Sequence, residues 1–201
     1  LICYLVLSDK MGYQSFDLDD YYDVFRFEIM EVYKGDKWKD VAISEIAIMG
    51  CCLNKNTIIQ NNSKNILITD LKKGNEISTL DFKTDKLINS SIIKTAKQTH
   101  HVLLKISTKD HSLELTPSHP LFTKKYGLIS LYALKRQNDY SNFEELVNRV
   151  EVLIWNEKKQ KREYQKLISI EKITGIFETH TLLEIDSGET YIANGFITSV
   201  Y

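Results

Sequence analysis

The stretch LTPSHPLF, residues 115–122, contains both prolines of this 201-residue chain and encloses one serine and one histidine. Proline fixes the φ angle and restrains the residue before it to extended backbone, and here Thr116 and His119 each precede a proline. We therefore expect a stiff extended turn that holds the imidazole of His119 in one place, as proton-transfer chemistry requires. A second interpretation is a strand end that the prolines merely brace, with no chemical role for His119.

The composition is that of an ordinary globular protein, with 43% hydrophobic residues and a net charge of -1 from 26 basic and 27 acidic side chains. The lack of a basic excess argues against nucleic acid as a partner. No apolar run approaches the roughly 20 residues that cross a bilayer, so we expect no membrane span. The start, LICYLVLSDK, lacks the basic region and cleavage site of a signal peptide and is typical of a buried strand in a fragment of a longer protein. The compartment stays open, cytoplasmic or secreted.

Runs rich in β-branched and aromatic residues dominate the chain and predict strands, bounded by Gly, Asn and Asp. One helix is predicted over residues 141–150, SNFEELVNRV, where Ser141 and Glu144 have capping-box spacing and the apolar residues fall on one face. Together these elements predict an all-β chain with one connecting helix. The predicted strands are VFRFEIMEVY (24–33), VAISEIAIM (41–49), INSSIIKTA (88–96), VLLKIST (102–108) and TLLEID (181–186), with a tight turn at 34–37.

A sequence echo relates two parts of the region after residue 76. HVLLKI, which begins at His101, returns as HTLLEI, which begins at His180, 79 residues later. Each copy follows a hairpin-like segment and precedes a short strand, so the order of the flanking units matches as well. Two related units in tandem predict a pseudo-symmetric β domain built by duplication over residues 76–201. A chance likeness between two apolar strands is the other explanation.

Two adjacent cysteines, Cys51 and Cys52, follow a predicted hydrophobic strand, and the third, Cys3, lies far from them in the sequence. Three cysteines do not make a disulfide framework, so we expect free thiols. One interpretation makes Cys52 a small buried apolar residue. Together with the distant, rigidly held His119, however, its thiol completes the smallest set for nucleophilic acyl chemistry.

Three blocks of the chain, in the right order, resemble the Hint domains of inteins, hedgehog autoprocessing domains and bacterial intein-like domains. The first block begins with CLNKNTIIQ at residue 52, LTPSHPLF resembles the second block, and TYIANGFITSV resembles the closing strand. The resemblance implies an all-β, horseshoe-shaped Hint fold with pseudo-twofold duplication. The matching residues are Cys52, Thr57, Ile68, Leu71 and Gly74 in the first block, Thr116, His119, Pro120 and Phe122 in the second, and Tyr191, Ala193, Asn194 and Gly195 in the third.

The resemblance also implies a single-turnover, cofactor-free reaction of the chain on its own N-terminal flank. The thiol of Cys52 would attack the carbonyl of Cys51 and replace the peptide between them with a thioester, which leads to N-terminal autocleavage. His119 would give a proton to the departing nitrogen, and Thr116 would hold that nitrogen or the oxyanion. Protonating the nitrogen is the demanding step because resonance stabilises a peptide. We expect the cleavage rate to fall at low pH, where Cys52 stays protonated, and at high pH, where His119 has no proton to give.

The closing strand departs from that of a splicing intein, which ends in His-Asn followed by Cys, Ser or Thr. Aligned on the Ala-Asn-Gly of residues 193–195, those places hold Ser199, Val200 and Tyr201. Val200 has no amide nitrogen with which to cyclise, and a phenol is a poor acyl acceptor. A polar residue often found in the strand before it is replaced by Leu182. We therefore expect N-terminal cleavage without ligation of two flanks.

The remaining histidines, His100, His101 and His111, could join a cysteine in a zinc site, but their spacing matches no standard ligand pattern. We therefore predict no metal site and no cofactor. The charged run EKKQKRE at residues 157–163 predicts the solvated tip of a hairpin rather than a binding patch.

Residues 1–50 resemble the C-terminal part of a discoidin-like β-sandwich, of the glycan-binding type attached to some bacterial NAD glycohydrolases. The likeness rests on VYKGDKWKD, residues 32–40, and on ISEI, residues 43–46. Tyr33 and Trp38 could stack on a sugar, or they could be core or turn aromatics. The predicted domains are therefore 1–50, part of a glycan-binding sandwich, and 51–201, a Hint domain that releases it. The alternative function is a carbohydrate-binding module with a catalytically degenerate Hint domain of structural role.

Overall fold

The computed structural model describes residues 51–61 and 64–200. The discoidin-like interpretation, with its strands at 24–33 and 41–49, its turn at 34–37 and the aromatics Tyr33 and Trp38, lies outside the described residues. The domain boundary between residues 50 and 51 therefore stays a prediction.

The described part of the chain is built mostly of β-strands, as the sequence predicted. Within it, α1 (Leu131–Gln137) is an α-helix, and Ile68–Asp70 and Glu144–Leu146 are 3₁₀ turns. In chain order the strands are β1 (Leu53–Asn54), β2 (Ile58–Ile59), β3 (Ile66–Leu67), β4 (Glu76–Asp81), β5 (Lys86–Ser107), β6 (Ser112–Leu115), β7 (Pro120–Thr123), β8 (Gly127–Ser130), β9 (Glu151–Asn156), β10 (Lys161–Lys166), β11 (Ser169–Ile185), β12 (Thr190–Ala193) and β13 (Phe196–Ser199).

These strands form two curled antiparallel sheets. One sheet has the order β11-β1-β6-β5-β4, and the other has the order β10-β9-β7-β13-β12-β2-β3, with β8 beside β7. Strands β12 and β13 are buried at every position, whereas the long β5 carries exposed positions along much of its length. The closing hairpin of the domain therefore lies inside the molecule, where its side chains can meet those of the first sheet.

The two longest strands, β5 and β11, pair along most of their length. Thr99 lies opposite Glu178, and 178 − 99 = 79, which is the separation of the sequence echo. This pair lies near the middle of the two paired strands. The two sequence copies therefore lie on either side of Thr99 and Glu178, as the predicted duplication requires.

The helix predicted over residues 141–150 is wrong. Only the 3₁₀ turn Glu144–Leu146 forms there, and α1 lies earlier in the chain, where Ser130 caps its N-terminus. Val147 is extended and Asn148 has a φ of +60°, so the segment leaves the helical conformation within one turn. The apolar spacing that suggested a helix serves instead to pack this short turn against the core.

A two-residue turn at Asn194 and Gly195 joins β12 to β13 and positions the closing strand. Their φ angles are +47° and +86°, as in the type I′ turn that Asn-Gly favours in hairpins. Asn194 Oδ1 accepts from Ile58 N at 2.8 Å, and its Nδ2 donates to Ser112 O at 3.0 Å. A Cβ atom at Gly195 would collide with the ring of His111. The Asn-Gly pair of the closing block thus has a structural explanation.

Strands β9 and β10 form the hairpin predicted from the charged run at residues 157–163. Asn156 lies opposite Lys161, so residues 157–160 make the turn, and their side chains are exposed. Among the described residues, no helix is long and apolar enough to cross a membrane.

Candidate active site

The Cys51–Cys52 peptide lies directly before β1, inside the first sheet. Leu53 of β1 is opposite His180 of β11 on one side and Leu115 of β6 on the other. Since Leu115 begins LTPSHPLF, this pairing brings the peptide next to that segment. Cys52 is fully buried and Cys51 is half-buried.

Thr116 makes two hydrogen bonds to Cys52 and so holds the peptide in a defined orientation. The amide nitrogen of Cys52 donates to Thr116 Oγ1 at 2.9 Å. In return, Thr116 N donates to the carbonyl oxygen of Cys52 at 2.9 Å. The first bond involves the nitrogen that would leave on cleavage between Cys51 and Cys52. Cys52 and Thr116, both predicted from the sequence as site residues, therefore meet at this nitrogen.

Both cysteines before β1 are free thiols. Cys51 Sγ donates to the carbonyl of Ser118 at 3.3 Å, so the side chain of the predicted acyl residue is attached to the same loop that carries His119. The loop therefore contacts both residues of the peptide.

Both prolines of LTPSHPLF accept hydrogen bonds through their carbonyl groups, which fixes the loop on two sides. Tyr132 N, in α1, donates to Pro117 O at 3.1 Å. The hydroxyl of Thr198, in β13, donates to Pro120 O at 2.9 Å. Between them, His119 N donates to the carbonyl three residues earlier at 2.9 Å, which closes a tight turn. The imidazole of His119 is thereby buried in a fixed position.

The hydrogen bonds around His119 determine which ring nitrogen carries the proton in the neutral form. Nε2 lies 2.7 Å from Thr198 Oγ1, and that hydroxyl donates its one proton to Pro120 O. The hydroxyl must therefore accept from Nε2–H. The other nitrogen, Nδ1, keeps its lone pair, is buried and makes no hydrogen bond.

Burial lowers the pKa of His119 to about 4, so the ring is neutral near pH 7. The backbone of Cys51 lies close enough to the ring to offset part of that shift, although the contact falls short of a well-formed hydrogen bond to Nδ1. A neutral ring with an available Nδ1 lone pair beside the peptide can accept a proton before it gives one.

The thiol of Cys52 is protonated at neutral pH because burial raises its pKa to about 11. The nearby Thr179 hydroxyl offsets part of this rise, and Sγ lies 3.6 Å from Gln98 Oε1. Gln98 on β5 and Thr179 on β11 lie opposite each other in the sheet. Sequence reasoning missed both residues, because a polar side chain within a strand carries no local mark of a site.

A further buried polar group, the hydroxyl of Tyr191, lies in the same pocket. Tyr191 is fully buried on β12, opposite Thr198 of β13, and its hydroxyl makes no hydrogen bond. Its pKa is raised by burial and further by the nearby thiol groups of Cys52 and Cys51. In the sequence Tyr191 was a motif match without a role.

The solved structures that resemble this one are inteins and intein-like domains. The DnaB intein from Synechocystis sp. PCC 6803 superposes with a TM-score of 0.60 at 19% identity, covering 75% of this chain and 98% of that one. This chain has the Hint fold. The bacterial intein-like domain from Clostridium thermocellum gives 0.59 at 13% identity, with 74% and 98% covered. The TvoVMA intein gives 0.59 at 17% identity, with 74% and 96% covered.

No protein-family model and no curated protein matches the sequence. At these levels of identity, the structural likeness establishes the Hint fold and not a shared activity. It gives no support to the discoidin-like interpretation of residues 1–50.

At the closing end of the Hint fold, the two residues aligned with the splicing pair are the last residue of β13 and the residue directly after it. Ser199 ends β13 opposite Thr190, and Val200 N donates to Glu189 O at 2.9 Å. Leu182 is fully buried in the main core. None of the side chains of Ser199, Val200 and Leu182 carries an imidazole or an amide.

Two of the three histidines considered for zinc have other contacts. His100 Nδ1 lies 2.7 Å from Thr179 Oγ1, and the ring of His111 packs against Gly195. In residues 51–61 and 64–200, no group of three or more His, Cys, Asp or Glu side chains is placed to hold a metal ion. His100, His101 and His111 are therefore not brought into one site.

Proposed function

We propose that residues 51–201 are a self-processing Hint domain that cleaves its own N-terminal flank at the Cys51–Cys52 peptide through a thioester. The observation that carries the proposal is the hydrogen bond from the amide nitrogen of Cys52 to Thr116 Oγ1, beside the unpartnered Nδ1 of His119. A nucleophile, a leaving nitrogen and a proton carrier held in one buried pocket are the groups that an acyl shift requires.

The first step is attack of Cys52 Sγ on the carbonyl carbon of Cys51. Because the thiol and the imidazole of His119 are both neutral near pH 7, the thiol proton passes to Nδ1 as the sulfur–carbon bond forms. The carbonyl oxygen of Cys51 takes up the negative charge of the tetrahedral intermediate. The ring is now an imidazolium, with its Nε2 proton still directed to Thr198.

The second step returns that proton to the departing nitrogen. Nδ1–H of His119 protonates the nitrogen of Cys52, and the carbon–nitrogen bond breaks as the carbonyl of Cys51 reforms. Thr116 Oγ1 keeps the N–H in place while the nitrogen loses its planar geometry. In sum, one proton has moved from sulfur to nitrogen, Cys51 has become the acyl part of a thioester, and Cys52 has gained a free α-amine.

The third step releases the flank. Water or an added thiol attacks the thioester carbonyl, which frees residues 1–51 and restores the thiol of Cys52. Since the closing end has neither His-Asn nor a following Cys, Ser or Thr, we propose cleavage without ligation. The substrate is the chain itself, the reaction occurs once per molecule, and no cofactor enters any step.

The test is the intact mass of the purified chain after incubation with hydroxylamine, which converts a thioester to a hydroxamate. We expect one fragment of residues 1–51 that ends in a hydroxamate at Cys51, and one fragment that begins with a free amine at Cys52. The Cys52→Ala chain is the matched control because it cannot form the thioester. A parent chain that stays whole with and without hydroxylamine would contradict the proposal.

The second candidate is a Hint domain without activity, attached to a carbohydrate-binding module. The observation that favours it is that burial leaves both the thiol of Cys52 and the ring of His119 neutral, with no charged pair formed in advance. The same mass measurement separates the two candidates, since only the first yields fragments that divide between residues 51 and 52.

A further inference from the structure

We propose that Thr198 is a positioning residue for His119, which holds the neutral imidazole with its proton on Nε2 and its Nδ1 lone pair available to the Cys51–Cys52 peptide. This inference rests on the self-cleavage proposed above. It gives the closing strand a role that the sequence motifs did not indicate. The hydrogen bonds of the Thr198 hydroxyl go to His119 and Pro120. It acts through the ring of His119.

The hydrogen-bond chain runs in one direction only. Nε2–H of His119 donates to Thr198 Oγ1 at 2.7 Å, and the same hydroxyl donates to Pro120 O at 2.9 Å. If the ring carried its proton on Nδ1 instead, Nε2 would need a donor, and the hydroxyl would have to turn away from Pro120 to supply it. Thr198 is 0% exposed and His119 is 1% exposed, so bulk solvent does not compete for either bond.

The backbone around Thr198 keeps the hydroxyl in register with the ring. Thr198 lies opposite Tyr191 of β12 and opposite Leu121 of β7, the strand that begins directly after His119. Strand pairing on both sides therefore fixes the position of the hydroxyl relative to the loop. A residue held only by its own side chain could not set the orientation of a neighbouring ring as closely.

A related contact joins matching positions of the two copies. His119 and Thr198 are 79 residues apart, and so are His100 and Thr179, whose side chains also form a hydrogen bond at 2.7 Å, through Nδ1 of His100 where His119 uses Nε2. In both pairs, a histidine of the first copy meets a threonine of the second copy. The fold thus brings matching positions of the two copies together, and the second copy supplies the hydroxyl that orients the ring.

The experiment compares Thr198→Val, which keeps the shape and loses the hydroxyl, with Thr198→Ser, which keeps the hydroxyl. Both are made in the whole Cys52→Ala chain, which stays uncleaved, and the ¹⁵N chemical shifts of His119 report which ring nitrogen is protonated. We expect protonated Nε2 and bare Nδ1 in the parent and in Thr198→Ser, and a mixture of tautomers in Thr198→Val. A parent ring protonated on Nδ1, or a valine variant with the parental shifts, would overturn the inference.

The rate of hydroxylamine-induced cleavage, measured in chains that keep Cys52, gives the second readout. We expect Thr198→Val to slow cleavage by ~10–100-fold, the range found when a hydrogen-bond partner that orients a metal-bound histidine is removed, and Thr198→Ser to recover most of that loss. Parental cleavage by Thr198→Val would count against the inference. A parent chain that never cleaves contradicts the proposed function alone, because the tautomer measurement still tests Thr198.

Discussion

The opening and closing ends of the Hint domain meet in one buried pocket but contribute different groups to it. In our proposal the opening end supplies the groups that act on the Cys51–Cys52 peptide, namely the thiol of Cys52, the hydroxyl of Thr116 and the ring of His119. The closing end supplies Thr198, whose hydroxyl bonds to the ring of His119, then Ser199 at the end of β13 and Val200, whose N–H donates to Glu189 O.

This difference separates two reactions that a splicing intein combines. Forming a thioester requires a nucleophile and a proton carrier at the opening end, whereas ligation also requires a cyclising Asn and an acyl acceptor at the closing end. In our proposal this chain keeps the first set and lacks the second. The closing strand therefore keeps one task in our proposal, which is to support His119.

The largest effect should come from removing the nucleophile of the opening end. Cys52→Ala should abolish cleavage, because no other group in our mechanism can form a thioester with the carbonyl of Cys51. Cys51→Ala is the matched control, since it changes only the side chain of the acyl residue and should still cleave. Gel analysis after incubation with dithiothreitol distinguishes the two variants. Equal loss in both would overturn the assignment of Cys52 as nucleophile.

Removing the proton carrier should have the next largest effect. His119→Ala should slow thioester formation by ~10²–10⁴-fold, the usual contribution of a positioned acid or base. Pro117→Ala and Pro120→Ala should cost less, because both variants keep the backbone carbonyls that anchor the loop. Single-turnover rates of hydroxylamine-induced cleavage give the comparison. A His119→Ala chain that cleaves at the parental rate would leave LTPSHPLF as a braced strand end.

The opening end could be predicted from sequence because its residues form recognisable local motifs. Cys52, Thr116 and His119 each stand in a block whose spacing is characteristic, and the structure brings all three together. The prediction of a helix at residues 141–150 was wrong because apolar spacing reports only which side chains are buried. The backbone there leaves the helical conformation after Glu144–Leu146 and continues into β9.

The closing end was harder to predict, since Thr198 has no local motif and acts through a contact between distant strands. The sequence nevertheless contained a signal for it. The echo has a period of 79, and adding 79 to 119 and to 100 leads to Thr198 and Thr179, the partners of His119 and His100. Gln98 had no such indication, and Tyr191 matched the closing block without a role for its hydroxyl.

The pH dependence of cleavage tests whether the opening end is as deeply buried as the structure indicates. With ordinary pKa values the cleavage rate would change between pH 5 and 9. Burial instead moves the pKa of His119 down to about 4 and that of Cys52 up to about 11. The reacting form, neutral ring with protonated thiol, then predominates between those values. We expect a nearly constant rate from pH 5 to 9, and a fall below about pH 4 as the ring becomes protonated.

This profile should be measured at hydroxylamine concentrations high enough that the rate no longer depends on the nucleophile. A rate that instead rises about tenfold per pH unit from 7 to 9 would mean that thiolate forms before attack, and would contradict the proton transfer from Cys52 to His119.

A smaller effect is expected at Tyr191, the other residue of the closing hairpin that faces the opening end. Its buried hydroxyl has no partner, and such a group destabilises the folded state by about 1–3 kcal/mol when nothing satisfies it. Tyr191→Phe should therefore leave the free energy of unfolding in urea unchanged or raise it by about 1 kcal/mol, and cleavage should persist. A loss of about 10²-fold in rate would contradict this and assign the hydroxyl to the oxyanion.

The last prediction is that no C-terminal release occurs at the closing end. In a chain extended by a tail beyond Tyr201, the side chain of Val200 is a hydrocarbon and offers no nitrogen that could attack its own carbonyl. Its backbone N–H is engaged with Glu189 O at 2.9 Å, so the main chain offers no substitute either. Mass spectrometry should find the tail still attached in the same sample that has lost residues 1–51. Detection of the two flanks joined to each other would show that the alignment of the closing strand is wrong, and with it the separation of the two ends.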